Sequence, residues 1–399
     1  MKLDEASSLA ISFLMPAVTT FVWVSLPLFL LEIHVNLLFL GVIYSLGIVS
    51  SMLIRIPLRF YLEIGRRDIL PMLSLLIAGI ALSLFFISMS LPMAILSFVV
   101  LSISGSMYRS VNPRKQERNL RNTEPMRNMF NQNIISTFGI FSLLILSGLY
   151  PVNNVIQLYG IVSVVTLLIG FLTLAYRISI KPDSAEYEPR INFKEYMRNG
   201  LAPIKSLDMI SNRKVVFPFL TIQTLLYLSL CIVAVFLPAM AVRDNISTHD
   251  IFFIFAAFSV IGFLLDRLAQ KISMQPLREV FYVFRPIFLI IPFLILSIVI
   301  SNILFIIGYF IILMWIFSDS ASSDMVLKSM KEGDRIRSRI IVNFLFVPIS
   351  IIGPLLGSAM WLASPRLLYG VAIIPAAVSM LIVMLMLERN PPVASTHTT

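Results

Sequence analysis

The sequence predicts an all-α integral membrane protein, with twelve transmembrane helices in two pseudo-symmetric six-helix bundles. Three observations predict it. Of the 399 residues 58% are hydrophobic and only 13% charged, where soluble domains carry about 25% charge. The apolar residues gather into runs of the ~20 that a helix needs to cross a bilayer. The basic residues fall between alternate runs.

The runs follow in order. The first, 9–31, comes after Lys2, Asp4 and Glu5. It lacks the purely basic start of a signal peptide, so it predicts a retained first span. Runs 37–57, 69–89, 92–111 and 128–150 predict spans 2 to 5. Asn153 and Asn154 supply loop chemistry before span 6 at 155–176. A connection of 178–214 precedes span 7 at 215–240. Asp244 and Asn245 separate it from span 8 at 250–270. Spans 9, 10 and 11 are 280–300, 302–325 and 339–361, and Pro365 stands before span 12 at 367–388. The long connection divides the chain into an N-terminal bundle, 1–177, and a C-terminal bundle, 215–388. Within it Ile191, Phe193, Tyr196, Met197 and Leu201 alternate with Lys194, Glu195 and Arg198. That spacing fits a short surface helix or a solvated linker. The tail, 389–399, reads as disordered.

Charge sets the orientation. The N-terminus, the tail and the loops after even-numbered spans, counted with their membrane edges, hold 29 of the 31 Lys and Arg. The other loops hold only Arg243 and Arg366. The positive-inside rule then places both termini in the cytoplasm of a multi-pass cell-membrane protein. One span too many or too few would scramble that division. The net charge of +10 is thereby a topology signal, with a minor share for anionic lipid, and no nucleic-acid partner is expected. Cys231 is the sole cysteine, and His34, His249 and His397 sit near helix ends or in the tail. No disulfide framework, metal centre or cofactor is expected.

Two segments repeat. Leu58-Arg59-Phe60-Tyr61-Leu62-Glu63-Ile64-Gly65-Arg66-Arg67 follows span 2, and Gly262-Phe263-Leu264-Leu265-Asp266-Arg267-Leu268-Ala269-Gln270-Lys271 follows span 8, at an offset of 204 residues. Both resemble the loop signature of the major facilitator superfamily, Gly-x-x-x-Asp-Arg-x-Gly-Arg/Lys-Arg/Lys. The likeness in layout covers essentially the whole chain. The first copy departs at Leu58, Leu62 and Glu63, and the second at Ala269. The resemblance implies a secondary transporter that rocks two halves about a central site, with Gly65, Arg66, Arg67, Gly262, Asp266 and Arg267 forming a cytoplasmic gate. A basic turn needed for topology alone is the plainer reading. In span 11, Gly353-Pro354-Leu355-Leu356-Gly357-Ser358 resembles an antiporter element of the same superfamily, and reads as a packing point.

In that family spans 1, 4, 7 and 10 line the cavity. They offer Thr19 and Trp23, then Ser97, Ser102 and Ser104, then Gln223 and Tyr227, then Trp315 and Asp319. Trp23, Thr19, Gln223, Tyr227 and Trp315 are the expected substrate contacts, each set against a plain hydrogen bond between helices or back along its own helix. Asp319 lies ~25 Å along its span at ~1.5 Å per residue, and charge at such depth is costly and usually functional. It is the expected coupling residue, against an ion pair with Arg335 or Arg109. Arg55, Arg109 and Arg285 lie near span ends, from where they can snorkel. The lack of a central cation argues against phosphate, nitrate or di-acid substrates. The expected function is transport of a small neutral or amphipathic solute by alternating access, with proton-coupled efflux as one option and a monomer as the unit. Uptake of a sugar-like metabolite and a non-transporting sensor with the transporter fold are the alternatives. No clustered catalytic set supports a membrane-embedded enzyme.

Overall fold

The computed structural model describes residues 3–63, 69–119, 125–150, 155–179, 213–271, 275–298, 302–329 and 332–389. The expected cytoplasmic connection and the tail lie almost wholly outside the described residues, as do Gly65, Arg66 and Arg67. Every regular element described is an α-helix: α1 Leu3–Glu32, α2 Leu38–Glu63, α3 Leu70–Ile87, α4 Leu91–Asn119, α5 Pro125–Leu149, α6 Val155–Ser179, α7 Arg213–Ala234, α8 Leu237–Arg243, α9 Thr248–Lys271, α10 Gln275–Phe284, α11 Ile287–Ile298, α12 Asn302–Ser329, α13 Glu332–Ala363 and α14 Pro365–Arg389.

Ten helical stretches among the described residues are long and apolar enough to cross a membrane. Spans 2 and 5 of the sequence reading fall on shorter apolar stretches, Leu38–Ile54 and Asn133–Leu149. Two expected spans are broken. Span 7 turns at Val235 and Phe236 before α8, where Pro238 occupies the first turn. Span 9 turns at Arg285 and Pro286 between α10 and α11. Proline disfavours helical geometry in the residue before it and cannot donate to the preceding turn. The Pro286 carbonyl then accepts the amides of Leu289 and Ile290 at 3.1 and 3.0 Å, which starts α11.

The chain forms two compact units. Unit 1 is Met1–Leu201 with Val235–Val260, and unit 2 is Ala202–Ala234 with Ile261–Thr399. In unit 1, α1 packs on α5 and α6, α2 on α4, and α3 on α4 and α6. Small residues permit these approaches, since lipid tails supply no hydrophobic drive between helices. A Cβ on Gly139 of α5 would meet the Phe13 carbonyl of α1, and one on Gly79 of α3 would meet Leu167 of α6. Short polar bonds join the same pairs. Ser136 donates to the Ser12 carbonyl at 3.0 Å, Ser83 and Ser163 lie 2.7 Å apart, and Ser106 donates to Ser51 Oγ at 2.6 Å. Buried Ser25 donates to the hydroxyl of Tyr159 at 2.8 Å.

In unit 2, α7 packs on α13 and α14, α11 on α12 and α14, and α10 on α12. Gly353 of α13 plays the part that Gly139 plays in unit 1, with a Cβ there 2.5 Å from Cys231 Cβ of α7. The antiporter-like element of span 11 is thus a close-packing point. Outward faces carry apolar stripes. On α6, Ile161, Val164, Leu168, Phe171 and Leu172 are all exposed at one-face spacing. Water would oppose such a surface and hydrocarbon accepts it.

Candidate coupling and substrate site

Unit 2 holds an ion pair at Asp319, with a buried partner, Arg285, that the sequence reading does not name for it. The turn at Arg285 and Pro286 leaves the Arg285 side chain with no exposed surface. Its Nη1 donates to Asp319 Oδ1 of α12 at 2.7 Å. The guanidinium also lies 5.2 Å from the ring centre of Tyr282, within cation–π range. Gln223 of α7 donates its Nε2 to the same Asp319 oxygen at 3.1 Å. One carboxylate oxygen thus gathers helices α7 and α12 and the break between α10 and α11. The Asp319 side chain is 31% exposed, while its partner Arg is enclosed.

Two sequence expectations are corrected here. Arg285 does not snorkel: it is buried and paired. Asp319 pairs with Arg285, an arginine that the sequence reading does not name for it, while the Arg335 side chain lies outside the described residues. The chain carries an enclosed cation after all, with its charge balanced by Asp319. The Arg-Pro dipeptide was the available signal, because it ends a helix turn inside an apolar run.

Ser318 and Ser322 fix the inner part of α12. Ser318 donates to the Phe281 carbonyl of α10 at 2.7 Å, and Ser322 donates back to the Ser318 carbonyl at 2.6 Å. Both satisfy local carbonyls and hold the helix that carries Asp319.

The expected substrate contacts fall into separate surroundings. Gln223 joins Asp319. Tyr227, one turn along α7, lies 3.2 Å from Ser350 Oγ and stacks on Phe346 with ring centres 4.1 Å apart. Trp315, one turn before Asp319 on α12, is 7% exposed, and its indole N–H has no hydrogen-bond partner among the described residues. Thr19 and Trp23 belong to unit 1. The Thr19 hydroxyl donates back to the carbonyls of Met15 and Pro16, both at 3.0 Å, which is the plain alternative of a bond within its own helix. Trp23 is half-buried, edge-on to Phe255 at 5.6 Å, and its carbonyl accepts the Tyr44 hydroxyl at 3.1 Å. Of the gate residues, a Cβ on Gly262 would lie 3.8 Å from Leu313, and the Arg267 guanidinium lies 5.2 Å from the Phe263 ring centre. Asp266 is half-buried.

No family model matches the sequence, and no curated protein matches it. Solved structures do match. A point mutant of the nucleoside transporter NupG superposes with a TM-score of 0.70 at 12% identity, over 96% of this chain and 99% of that one. A bacterial homologue of the human lysosomal transporter Spinster, in an inward-facing and unoccupied conformation, gives 0.71 at 11% identity over 96% of each chain. A POT family transporter in complex with a thioalcohol-conjugated peptide gives 0.68 at 12% identity, over 97% of this chain and 96% of that one. At such identities a likeness this extensive speaks for fold alone, and the chain shares the fold of these solved structures.

Proposed function

We propose that the chain is a secondary transporter, moving a small neutral or amphipathic solute across the cell membrane by alternating access with proton coupling through Asp319. Twelve spans in two six-helix halves, 1–177 and 215–388, would rock about a central site, with both termini cytoplasmic. The observation that carries this reading is the shared bonding of Asp319 with buried Arg285 and Gln223. An ion pair at membrane depth is expensive to keep, and its partly exposed carboxylate is placed to exchange a proton. Deprotonated, Asp319 balances Arg285 and the site is neutral overall. Protonated, it loses the charge-assisted bond and leaves the guanidinium to seek other acceptors. That alternation links proton occupancy to the contact between α12 and the α10–α11 break.

Neutrality of the pair keeps the solute reading: Arg285 offers no net charge to a phosphate or di-acid while Asp319 holds it. Gln223, Tyr227 and Trp315 supply aromatic and amide surface for a solute in the C-terminal half, with Thr19 and Trp23 contributing from the N-terminal half. Gly262, Asp266 and Arg267 would gate the cytoplasmic side with Gly65, Arg66 and Arg67.

The test is solute flux in proteoliposomes, screened with and without a pH gradient. Asp319→Asn should abolish gradient-driven accumulation while leaving solute exchange largely intact. Uphill transport at the wild-type level in that variant would remove Asp319 from coupling. Absence of any flux across a broad metabolite and drug library would favour the sensor reading.

A further inference from the structure

Unit 1 contains a cavity of about 530 Å³ at the helix ends facing away from the basic loops. It is remote in sequence from the charge pair of unit 2, and nothing in the proposed transport cycle uses it. Its size lies within the roughly 300–1,000 Å³ of small-molecule sites. The end of α1, the end of α5 and the first turns of α6 and α9 wall it.

Several polar groups around this cavity present acceptors. Glu32 closes α1, and its Oε2 accepts the Val155 amide that opens α6 at 3.0 Å. The Ile156 amide bonds the same carboxylate, so Glu32 lines the cavity as a carboxylate held by two backbone amides. His249 contacts the Gly148 carbonyl through Nδ1 at 3.0 Å. A carbonyl only accepts, so Nδ1 carries the proton and, in the neutral ring, Nε2 is an acceptor. The Ser147 hydroxyl spends its proton on the Leu143 carbonyl at 2.7 Å, which leaves oxygen lone pairs. Among the described residues that line it there is no Lys or Arg. Tyr150 and Thr248 add hydroxyls that donate or accept, and the rest of the wall is apolar, with Leu28 and Phe252 buried to 4% and 1% exposure.

We propose that this cavity binds an amphipathic organic amine, its ammonium head toward Glu32 and its apolar body against Leu28 and Phe252. An ammonium brings donors and positive charge to a wall that offers acceptors and one carboxylate. A neutral alcohol satisfies only part of that wall, and a carboxylate meets like charge. The proposal stands apart from the transport reading, since it draws on no residue of the Asp319 site.

The experiment titrates the purified full chain in lipid nanodiscs calorimetrically with 2-phenylethylamine, 2-phenylethanol and 3-phenylpropionate, three bodies of similar shape and different heads. The amine should bind, the alcohol at least about tenfold more weakly, a difference of about 1.4 kcal/mol, and the carboxylate not measurably. Glu32→Gln retains an acceptor for the Val155 amide and should erase the preference for amine over alcohol. Thr248→Lys places a cation in the cavity wall and should abolish amine binding by itself, which guards against a folding defect in the first variant. Asp319→Asn should leave the amine isotherm unchanged. Equal binding of amine and alcohol by the wild type overturns the proposal. So does amine binding that survives both cavity variants, or that is lost only in Asp319→Asn.

Discussion

Unit 1 and unit 2 join their helices by different means. In unit 1 the described contacts use glycine approaches and neutral hydroxyls: Gly139 on Phe13, Ser83 with Ser163, Ser106 with Ser51. Unit 2 has the same kind of approach at Gly353 on Cys231, and hydroxyl bonds such as Ser229 to the Ala372 carbonyl at 2.5 Å. It adds the Arg285–Asp319 pair. Glycine approaches and hydroxyl bonds suffice at these unit 1 contacts, while at a helix end the Glu32 carboxylate accepts the Val155 amide. A buried ion pair is weak evidence for stability, because desolvation offsets most of its Coulomb gain. Under the proposed coupling role the pair in unit 2 would be kept for function, and the units should answer differently to mutation.

The largest expected effect comes from splitting the pair. Arg285→Met leaves Asp319 without its enclosed cation and should destabilise the chain by about 3 kcal/mol, the low end for a broken buried pair, because Asp319 is partly exposed. Arg285→Met with Asp319→Leu should recover most of that stability and still lack gradient-driven transport. Reversible unfolding of the four proteins in a double-mutant cycle measures it. If the double variant is no more stable than Arg285→Met alone, the pair is a structural strut and the comparison fails.

The next effect is common to both units and sharpens what they share. Gly139→Ala puts a Cβ on the Phe13 backbone carbonyl, and Gly353→Ala puts one on Cys231. Backbone cannot yield as a flexible side-chain tip can, so each should destabilise by about 1–3 kcal/mol. Gly105 and Gly262 have their nearest neighbours at 3.8 Å. Alanine there should be neutral, or stabilising by up to about 1 kcal/mol through helix propensity. Equal thermal unfolding of Gly139→Ala and Gly105→Ala would dismiss the close approach.

The membrane-spanning helices were legible because hydrophobic run length is a one-dimensional property. The resemblance of the loop after span 8 to a major facilitator signature likewise pointed to the fold that the superpositions show. The helix breaks were less legible. Pro238 and Pro286 signal them, yet the apolar runs continue through both. Asp319 was visible as a deep carboxylate, and Gln223 as a cavity residue, but their bond spans 96 residues of sequence. Arg285 was hidden by its position. An arginine near a span end reads as a snorkelling side chain, and only the turn at Pro286 reveals that it points into protein. Thr19 shows the opposite limit: its spacing suits a cavity, while its hydroxyl satisfies carbonyls of its own helix.

The smallest effect is the most direct measure of the contrast. Ser83 and Ser163 join α3 to α6 across 2.7 Å. Neutral hydrogen bonds between membrane helices average about 0.6 kcal/mol in double-mutant cycles, because the separated helices find other partners. Ser83 shows why: its hydroxyl also reaches the Gly79 carbonyl of its own helix at 3.0 Å. Loss of Ser163 leaves that bond available, so Ser163→Ala should change stability little. Ser83→Ala removes both bonds and should cost somewhat more. The coupling between the two, read from Ser83→Ala, Ser163→Ala and the double variant, should be about 0.6 kcal/mol. The Arg285–Asp319 cycle should exceed it several-fold, since an enclosed guanidinium has no comparable substitute on its own helix. If the two cycles gave the same coupling energy, the charge pair would be one more interhelical hydrogen bond, and the distinction between the two units would have no energetic content.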